Sequence, residues 1–484
     1  MGSSLKYFKK LLPLRESGFL EKSKDWVTLW ENLALKGPAL LYESAGERGD
    51  ASQWIVLAGN PEEEFFEING NKWLSTQAGI EPAPFSVFDF LDEVGKPGMG
   101  GELEKRFDKN YLKLGEIPPG AGFSPFPFSL AGAWFGIFSY EFGKRLTVNK
   151  KTEGNKSLNA VPDFYFFKPG VIVAFNRLNH EWFYFGDGRF LDLEKGDACA
   201  ENFKVHSLEQ KSSFSDYKKM VESAKKYILE GDIYQANLAQ VFQAEWEGSP
   251  AILFRLLKEL NPGPFMGIFR GRGFTVVSSS PERLVSCRGD WLETRPIAGT
   301  RPRATDQIHD LQNQWELKTN PKEQAEHLML VDLARNDLGR ISSFGTVEVK
   351  RFAQVESYSR VHHLVSIIQS RLSPAKKVSD VIRSLFPGGT ITGCPKIRSM
   401  EIISELEAQP RGFYTGSMGY LGPGPCFDFN ILIRSFTLFP NGTLEFLAGA
   451  GIVADSDPQK EYMETLFKVE ALAQALGSTL FSTP

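Results

Sequence analysis

The sequence has little of what marks several large classes of protein. Only four of its 484 residues are cysteine. None of them lies in a CxxC pair, which argues against a zinc knuckle, a thioredoxin-type site and a disulfide-stapled fold. No stretch approaches 18 consecutive apolar residues, so we expect no membrane span. The N-terminal segment lacks a signal-peptide pattern, and we expect a cytoplasmic protein.

An excess of charge of one sign is also missing. The chain carries 55 Lys and Arg against 59 Asp and Glu, a formal net charge of −4. Without a dominant basic field we expect no nucleic-acid partner. What the chain does have is apolar material, with 42% hydrophobic residues and 39 phenylalanines. Such a composition is typical of a folded protein with a large core.

The chain divides into two parts by pattern. Residues 1–205 show short aromatic runs between Pro and Gly residues, as at 163–175 and 181–190, which predicts a β-rich lobe. A polar stretch at 194–215 is the predicted linker. A helix with Ser215 as its N-cap and Gly231 at its end then opens a mixed α and β part, residues 206–484. Because strands and helices do not alternate regularly, a doubly wound sheet or a (β/α)8 barrel is disfavoured.

Two predicted helices each begin with the pattern K-E-x-x-E. Glu323 and Glu326 lie on one face of the first, and Glu461 and Glu464 on one face of the second. Either pair alone is most simply read as a solvated helix face. Facing carboxylates with open positions for substrate would instead suit Mg²⁺, which prefers oxygen ligands.

Three other features could carry chemistry. A Gly/Thr-rich loop at 386–396 leads into a helix, whose N-terminus can bind a carboxylate or phosphate, although a structural turn is the better explanation of the loop taken alone. His362 and His363 are adjacent on an apolar strand, so one of them points inward as a core or a site histidine. Arg434 follows apolar neighbours and needs an anionic partner, either an internal carboxylate or a substrate.

The order and spacing of these features resemble the chorismate-utilising family, which includes anthranilate synthase component I, aminodeoxychorismate synthase component I, isochorismate synthase and salicylate synthase. The motifs are PIAGTRPR at 296–303, EHLMLVDLARNDLGR at 326–340, V-x-H at 361–363, FPGGTITGCPK at 386–396, RGFYTGSMGY at 411–420, FNILIR at 429–434, AGAGIV at 448–453 and KEYMET at 460–465. The likeness is dense over 215–484 and looser before it. It implies an α+β fold: a large β-sandwich of antiparallel sheets flanked by helices, with an N-terminal lobe (1–205) and a chorismate-binding catalytic domain (206–484).

The resemblance also assigns site residues. It implies that Glu326 and Glu464, with Glu323 and Glu461 alongside, hold Mg²⁺ against the ring carboxylate of chorismate. The side chains and backbone implied for the enolpyruvyl carboxylate and its surroundings are Tyr414, Arg434, Gly449, Gly451, Lys396 and Gly393. Glu282 matches the acid that protonates the departing C4 hydroxyl, a step that needs a raised pKa. His363 is expected near the reacting ring, and Thr390 is expected to position the substrate.

Gln235 bears on which reaction is catalysed. The water-using members of the family carry a lysine base in the segment 231–237, where this chain has Gln235. An amide cannot take a proton from water as an amine can, so an ammonia-using member is expected. The motifs at 390–393 and 413–416 favour aminodeoxychorismate synthase component I over anthranilate synthase component I, which stays the alternative. Ala298 stands where many aminodeoxychorismate synthases have a nucleophilic lysine, and this puts covalent catalysis in doubt.

Ammonia must then come from a partner. No G-x-C-x-G motif surrounds any cysteine, so we expect a separate glutamine amidotransferase subunit. Segments that form a tryptophan pocket in the family are matched by Leu41, Glu43 and Ser44, and by Asn261, Pro262, Phe265 and Met266. A ligand-sensing protein without catalysis is a third hypothesis, disfavoured because the acidic pairs, Arg434 and Glu282 are all present.

Overall fold

The computed structural model describes residues 26–43, 54–68, 70–96, 130, 132–147, 161–177, 182–186, 202–358 and 360–478. Within these residues the chain forms ten α-helices and 21 strands. The helices are α1 Trp26–Ala34, α2 Val87–Val94, α3 Tyr140–Thr147, α4 Phe214–Leu229, α5 Pro250–Leu260, α6 Gln307–Thr319, α7 Pro321–Gly339, α8 Val378–Leu385, α9 Lys396–Leu406 and α10 Pro458–Ala475.

The strands join in one antiparallel hydrogen-bonded network. They are β1 Ala39–Glu43, β2 Trp54–Ile68, β3 Asn71–Thr76, β4 Gly79–Pro82, β5 Trp134–Phe138, β6 Phe164–Asn176, β7 Trp182–Gly186, β8 Phe203–Gln210, β9 Gln235–Gly248, β10 Phe265–Gly271, β11 Phe274–Ser280, β12 Arg283–Arg288, β13 Trp291–Thr294, β14 Ile297–Pro302, β15 Glu348–Ser357, β16 Val361–Arg371, β17 Gly393–Cys394, β18 Ser417–Gly422, β19 Cys426–Asn430, β20 Ser435–Leu438 and β21 Thr443–Ile452.

This network folds back on itself as a sandwich because two long strands belong to both of its halves. Along β6, Tyr165, Phe167 and Ile172 all face one apolar layer. On its other face, Phe166 joins a second core cluster near the start of the strand, whereas Val173 joins a third near the end. The strand β2, its antiparallel partner, divides in the same way around a register shift at Pro61/Glu63. Alternating side chains therefore fill an inner layer and two outer ones.

Helices cover both outer faces of the sandwich. Apolar residues of α1, α5 and α10 pack on one face, including Trp30, Phe254 and Val469. Those of α2, α7 and α8 pack on the other, including Phe90 and Ile382. The order helix, sheet, sheet, helix agrees with the predicted β-sandwich flanked by helices. No helix among the described residues is long and apolar enough to cross a membrane.

The structure corrects two details of the predicted linker region. Residues 203–210 form β8 and pair with β9 instead of forming a polar linker. The N-cap of α4 is Ser213, whose side chain accepts a hydrogen bond from the Asp216 backbone, and not Ser215. The predicted boundary between 205 and 206 lies inside β8. Strands from both parts also pair with each other, β1 with β10 and β5 with β18, so the division into two domains stays a prediction.

Candidate active site

Glu282 lies in the short turn between β11 and β12, with its carboxyl group buried. The Thr390 hydroxyl donates a hydrogen bond to its Oε1 at 2.9 Å, and its backbone carbonyl accepts from Ile431 at 3.0 Å. Burial raises the pKa of Glu282 to about 8, against the opposing effect of the hydrogen bonds from Thr390 and the Ile297 backbone. The structure thus brings the predicted acid and Thr390 together. Glu282 is a protonated carboxyl group at neutral pH, as a general acid must be.

His363 is held as a neutral imidazole with a defined tautomer. Its Nδ1 lies 3.0 Å from the Gly299 carbonyl, which can only accept, so Nδ1 carries the proton and Nε2 has the free lone pair. Nη2 of Arg434 lies 3.4 Å from that Nε2. Burial, followed by the charge of Arg434, lowers the pKa of His363 to about 3. The imidazole is therefore a hydrogen-bond or proton acceptor here, and not a cation.

Arg434 brings a positive charge into this neighbourhood. Its backbone is in the left-handed region, with φ +52°, and its carbonyl accepts from Ser279 at 3.0 Å. Burial lowers the pKa of Arg434. Among the residues that the structure describes, the guanidinium has no carboxylate partner, so of the two predicted alternatives the internal ion pair is wrong there. A buried cation without a counter-charge is costly unless an anion binds.

Tyr414 and the two glycines of β21 form the adjacent wall. The strand β21 pairs with β9, which sets Gly449 opposite Ala239 and Gly451 opposite Asn237. A Cβ on Gly449 would lie 2.3 Å from Asn237 Oδ1 and 3.1 Å from the Tyr414 hydroxyl. Glycine is needed here because both polar groups approach the backbone itself. The buried Oδ1 of Asn237, a residue that the motifs did not single out, has no hydrogen-bond partner among the described residues.

Gln235 opens β9 beside the first acidic helix. Its Nε2 donates to Glu326 Oε1 at 3.3 Å, and a Cβ on Gly451 would lie 2.3 Å from that Nε2. The side chain is buried, and its Oε1 finds no partner in the described part of the chain. An unsatisfied buried acceptor is uncommon in proteins. Gln235 therefore offers one free acceptor at the site.

The four predicted metal ligands lie near the N-terminal ends of α7 and α10. Burial, together with the charges of Glu323 and Glu464, raises the pKa of Glu326 to about 7, so these carboxylates repel one another. Burial likewise raises the pKa of Glu461. Partial burial acts to raise the pKa of Glu464, but Lys468, 2.7 Å away, brings it below its ordinary value.

The acidic residues do not form a ready-made metal site. Glu323 is also engaged, by Arg301 at 3.0 Å. In the part of the chain that the structure describes, no three Asp, Glu, His or Cys side chains converge closely enough to hold a metal ion. Any cation here would therefore have to complete its coordination with substrate and water.

The structure does not support the predicted substrate contact of Lys396. Its ammonium forms a 2.6 Å ion pair with Asp337 and donates to the carbonyls of Ser384 and Leu385 at 3.1 and 3.2 Å. All three donors of a lysine are thus used inside the fold. Gly393 also has a packing role, because its backbone, at φ +146°, lies so close to the Gln235 carbonyl that a Cβ would lie 2.1 Å away.

The tryptophan-pocket-like segments lie side by side, since β1 pairs with β10. The side chains of Leu41 and Met266 both belong to an apolar core cluster. Glu43 forms ion pairs with Lys258 at 2.5 Å and Arg177 at 3.2 Å. The guanidinium of Arg283 lies over the ring of Phe265, 5.1 Å from the ring centroid. Ser44 lies outside the described residues.

Two recesses in the surface hold part of the candidate site. One is lined by Glu282, Thr390, Gly388, Gly389 and Asp337 among others. The second is lined by Asn261, Pro262, Gly263, Pro264, Pro281, Tyr358, Arg360, Val361, His363 and Arg434. Tyr358 and Arg360 were missed from the sequence, although they directly precede the V-x-H motif that marks His363.

A protonated buried carboxyl group, a neutral histidine and a half-buried guanidinium without a carboxylate partner among the described residues are suited to acid-base chemistry on a small anionic substrate. Comparisons with known proteins agree. A family model for chorismate binding enzymes matches residues 104–474, and the chain belongs to this family. This membership confirms the predicted family and the predicted α+β class.

Individual relatives carry different names. The chain is 51% identical over 448 residues to the "Anthranilate synthase component I-like protein" of Synechocystis sp., covering 90% of this chain and 85% of that one. It is 46% identical over 261 residues to "Aminodeoxychorismate synthase component 1" of Bacillus subtilis, covering 54% and 55%. The crystal structure of anthranilate synthase component I from Streptococcus pneumoniae TIGR4 superposes with a TM-score of 0.71 at 28% identity, covering 86% of this chain and 91% of that one.

Proposed function

We propose that the protein aminates chorismate with ammonia, as an aminodeoxychorismate synthase component I that forms 4-amino-4-deoxychorismate for para-aminobenzoate and folate synthesis. The proposal of amination rests on the hydrogen bonding of Gln235. Its Nε2 is anchored on Glu326, and its buried Oε1 is free. An amide oxygen can accept an N–H of ammonia but cannot remove a proton from water. Ammonia, and not water, is the nucleophile that this site orients.

Glu282 supplies the acid for the departing hydroxyl. With a pKa of about 8, it is mostly protonated at neutral pH and can give its proton to the C4 hydroxyl, which leaves as water. The Thr390 hydroxyl fixes the orientation of the carboxyl group. The amino group replaces the hydroxyl, the proton that the bound ammonia loses on forming the C–N bond restores the Glu282 carboxyl group or passes to solvent, and the enolpyruvyl ether stays intact. The neutral His363 contributes a hydrogen-bond acceptor beside the ring.

Substrate anchoring uses the remaining groups. Arg434, the Tyr414 hydroxyl and the backbone of Gly449 and Gly451 would bind the enolpyruvyl carboxylate. We propose that Glu326 and Glu464 hold Mg²⁺, with Glu323 and Glu461 alongside. The mutual repulsion that raises the pKa of Glu326 fits a divalent cation, and two carboxylates plus substrate and water fit the ligand preferences of Mg²⁺. When bound, Mg²⁺ would supply positive charge for the ring carboxylate.

The ammonia source in this proposal is a glutamine amidotransferase subunit. No cysteine of the chain lies in a G-x-C-x-G motif. Cys287 is buried, and burial raises its pKa, which makes it a poor nucleophile. Glutamine hydrolysis is therefore assigned to a second protein.

A second candidate function, anthranilate synthase component I, is favoured by Ala298 and His363. Ala298 is buried opposite Leu364 on the strand that carries His363, and it cannot form the covalent bond that a lysine could. Nε2 of neutral His363 lies 3.4 Å from Arg434 Nη2, and a substrate carboxylate would have to draw Arg434 away before this nitrogen could accept the ring proton whose removal accompanies loss of pyruvate. The name of the Synechocystis relative points the same way.

One product assay tests the proposal and separates the two candidates. Purified protein is incubated with chorismate, Mg²⁺ and ammonium at alkaline pH, and products are followed by mass spectrometry, fluorescence and pyruvate release. Aminodeoxychorismate without pyruvate is the expected result. Fluorescent anthranilate with stoichiometric pyruvate would replace the first candidate by the second. Gln235→Leu should raise the KM for ammonia far more than the KM for chorismate, and equal changes would contradict the role of the amide.

A further inference from the structure

The second recess contains a positively charged residue, Arg360, to which neither the sequence motifs nor the family resemblance gives a role. Arg360 and Arg434 both line it, together with His363 and Tyr358. No Asp or Glu is among the lining residues described. Arg434 is half-buried at the recess, whereas Arg360 is exposed. The nearest carboxylate shown is that of Glu356, which is outside the lining and accepts a hydrogen bond from the Tyr358 hydroxyl at 2.8 Å. Two guanidinium groups around a recess whose own lining has no carboxylate are suited to bind an anion.

Arg360 lines the recess, and described residues near it are hydrogen-bonded within the fold. The Tyr358 N–H donates to the Val361 carbonyl at 2.8 Å. Arg303 makes two further bonds: its backbone N–H donates to the Arg360 carbonyl at 2.8 Å, and its Nη1 donates to the Tyr358 carbonyl at 2.9 Å. A bond at 2.9 Å from Nε to Asp310 Oδ1 holds Arg303 itself.

Asp310 links Arg303 to the core. The buried His362 lies 2.9 Å from Asp310 through Nε2, and its Nδ1 lies 2.8 Å from the Ser357 hydroxyl. The next residue, His363, belongs to the candidate active site. The carbonyl of Arg360 is thus connected through Arg303 and Asp310 to the strand that carries His363.

We propose that Arg360 is a substrate-binding residue that attracts the dianionic substrate to the recess and contacts its carboxylate from the outer side, opposite Arg434. The inference rests on the proposed function for the identity of the substrate. An exposed guanidinium raises the rate of encounter with an anion, and this effect weakens as salt screens the charge. Arg360 therefore governs capture of chorismate, and Glu282 governs its conversion.

The test compares four proteins: wild type, Arg360→Gln, Arg360→Lys, and Arg351→Gln as the matched control. Arg351 is an exposed arginine of β15 outside the recess. Binding of chorismate is measured by calorimetry with Mg²⁺ and without ammonia, at low and at high ionic strength. kcat/KM is measured separately with ammonium present.

Arg360→Gln should weaken binding and lower kcat/KM roughly five- to tenfold, mainly through KM, and should flatten the salt dependence. Arg360→Lys should keep most of the salt dependence, and Arg351→Gln should match wild type. Identical affinity and salt dependence in Arg360→Gln and Arg351→Gln would overturn the inference. If wild type binds chorismate but forms no aminated product, the proposed reaction fails while the binding comparison still decides the role of Arg360. No binding to wild type would overturn both.

Discussion

The ionisation of Glu282 leads to a stability prediction that does not depend on the substrate. The carboxyl group has a pKa of about 8 in the folded chain, against an ordinary value of 4.5. Between these two values the unfolded chain has lost the proton and the folded chain has kept it. Folding stability therefore falls as pH rises through this window, by about 1.4 kcal/mol per pH unit from this one group. Glu282→Gln removes the titration and with it this loss.

The size of the effect follows from the two pKa values. Between pH 6 and pH 8 the wild-type chain should lose about 2 kcal/mol more stability than Glu282→Gln, because the folded group begins to ionise only near the upper limit. The pKa of Glu282 is raised because its carboxyl group is buried without a cationic partner among the described residues. The same buried environment keeps roughly nine-tenths of the carboxyl groups protonated at pH 7, so the stability measurement also tests the acid role.

The measurement is urea unfolding of both proteins at pH 6 and pH 8, followed by the fluorescence of the nine tryptophans. The quantity of interest is the change with pH in the stability difference between the variant and wild type. Glu259→Gln, which removes an exposed carboxylate from α5, serves as the charge control. If the stability difference between Glu282→Gln and wild type changes by less than about 0.5 kcal/mol from pH 6 to pH 8, which is the range of ordinary surface substitutions, the raised pKa is refuted.

Three further predictions concern other polar groups of the fold. Thr390→Val removes a hydrogen bond that lowers the pKa of Glu282, so the alkaline limb of the kcat–pH profile should move to higher pH; an unmoved or lowered limb would count against that contact. Glu326→Gln should abolish Mg²⁺-dependent turnover, and turnover with an unchanged Mg²⁺ requirement would refute the metal assignment. Arg411→Met removes the 2.6 Å cationic partner of the Glu407 carboxylate, which among the described residues keeps only the hydrogen bond from the Ala239 N–H, and should cost about 3–5 kcal/mol of stability by urea unfolding; a double variant with Glu407→Gln should recover part of it, and additive losses would argue against the pair.

Much of the fold was predictable from apolar periodicity. The helix predicted between Ser215 and Gly231 is α4, Phe214–Leu229, and the strand expected at 163–175 is β6, Phe164–Asn176. In both, apolar residues repeat at the period of the element. The helix α6 was missed because only Asp310 and Leu317 of its thirteen residues are buried. Without an apolar stripe, no periodic pattern marks it.

Some residues of the candidate site could be predicted because they lie in motifs. Glu282 and Thr390, separated by more than a hundred residues, were both assigned through the family resemblance, and they share a hydrogen bond. Lys396 was assigned to substrate by the same resemblance, but its partner Asp337 is on another helix and no local pattern connects them. Arg360 was missed because an exposed arginine resembles any solvated arginine.

The interleaved strand order constrains when the enzyme can form during synthesis. The strand β5 pairs with β18, about 280 residues later in the chain, and β1 has β10 as a neighbour. The ribosome therefore releases β1 and β5 long before these distant partners exist, although each strand also has a partner nearby in the chain, β2 and β6. One edge of β5 stays unpaired until the C-terminal third is made, and such long-range pairing slows folding and exposes edges that can aggregate. Since Glu464 lies on α10, the last helix described, a nascent chain would gain its complete set of acidic side chains only as that helix docks.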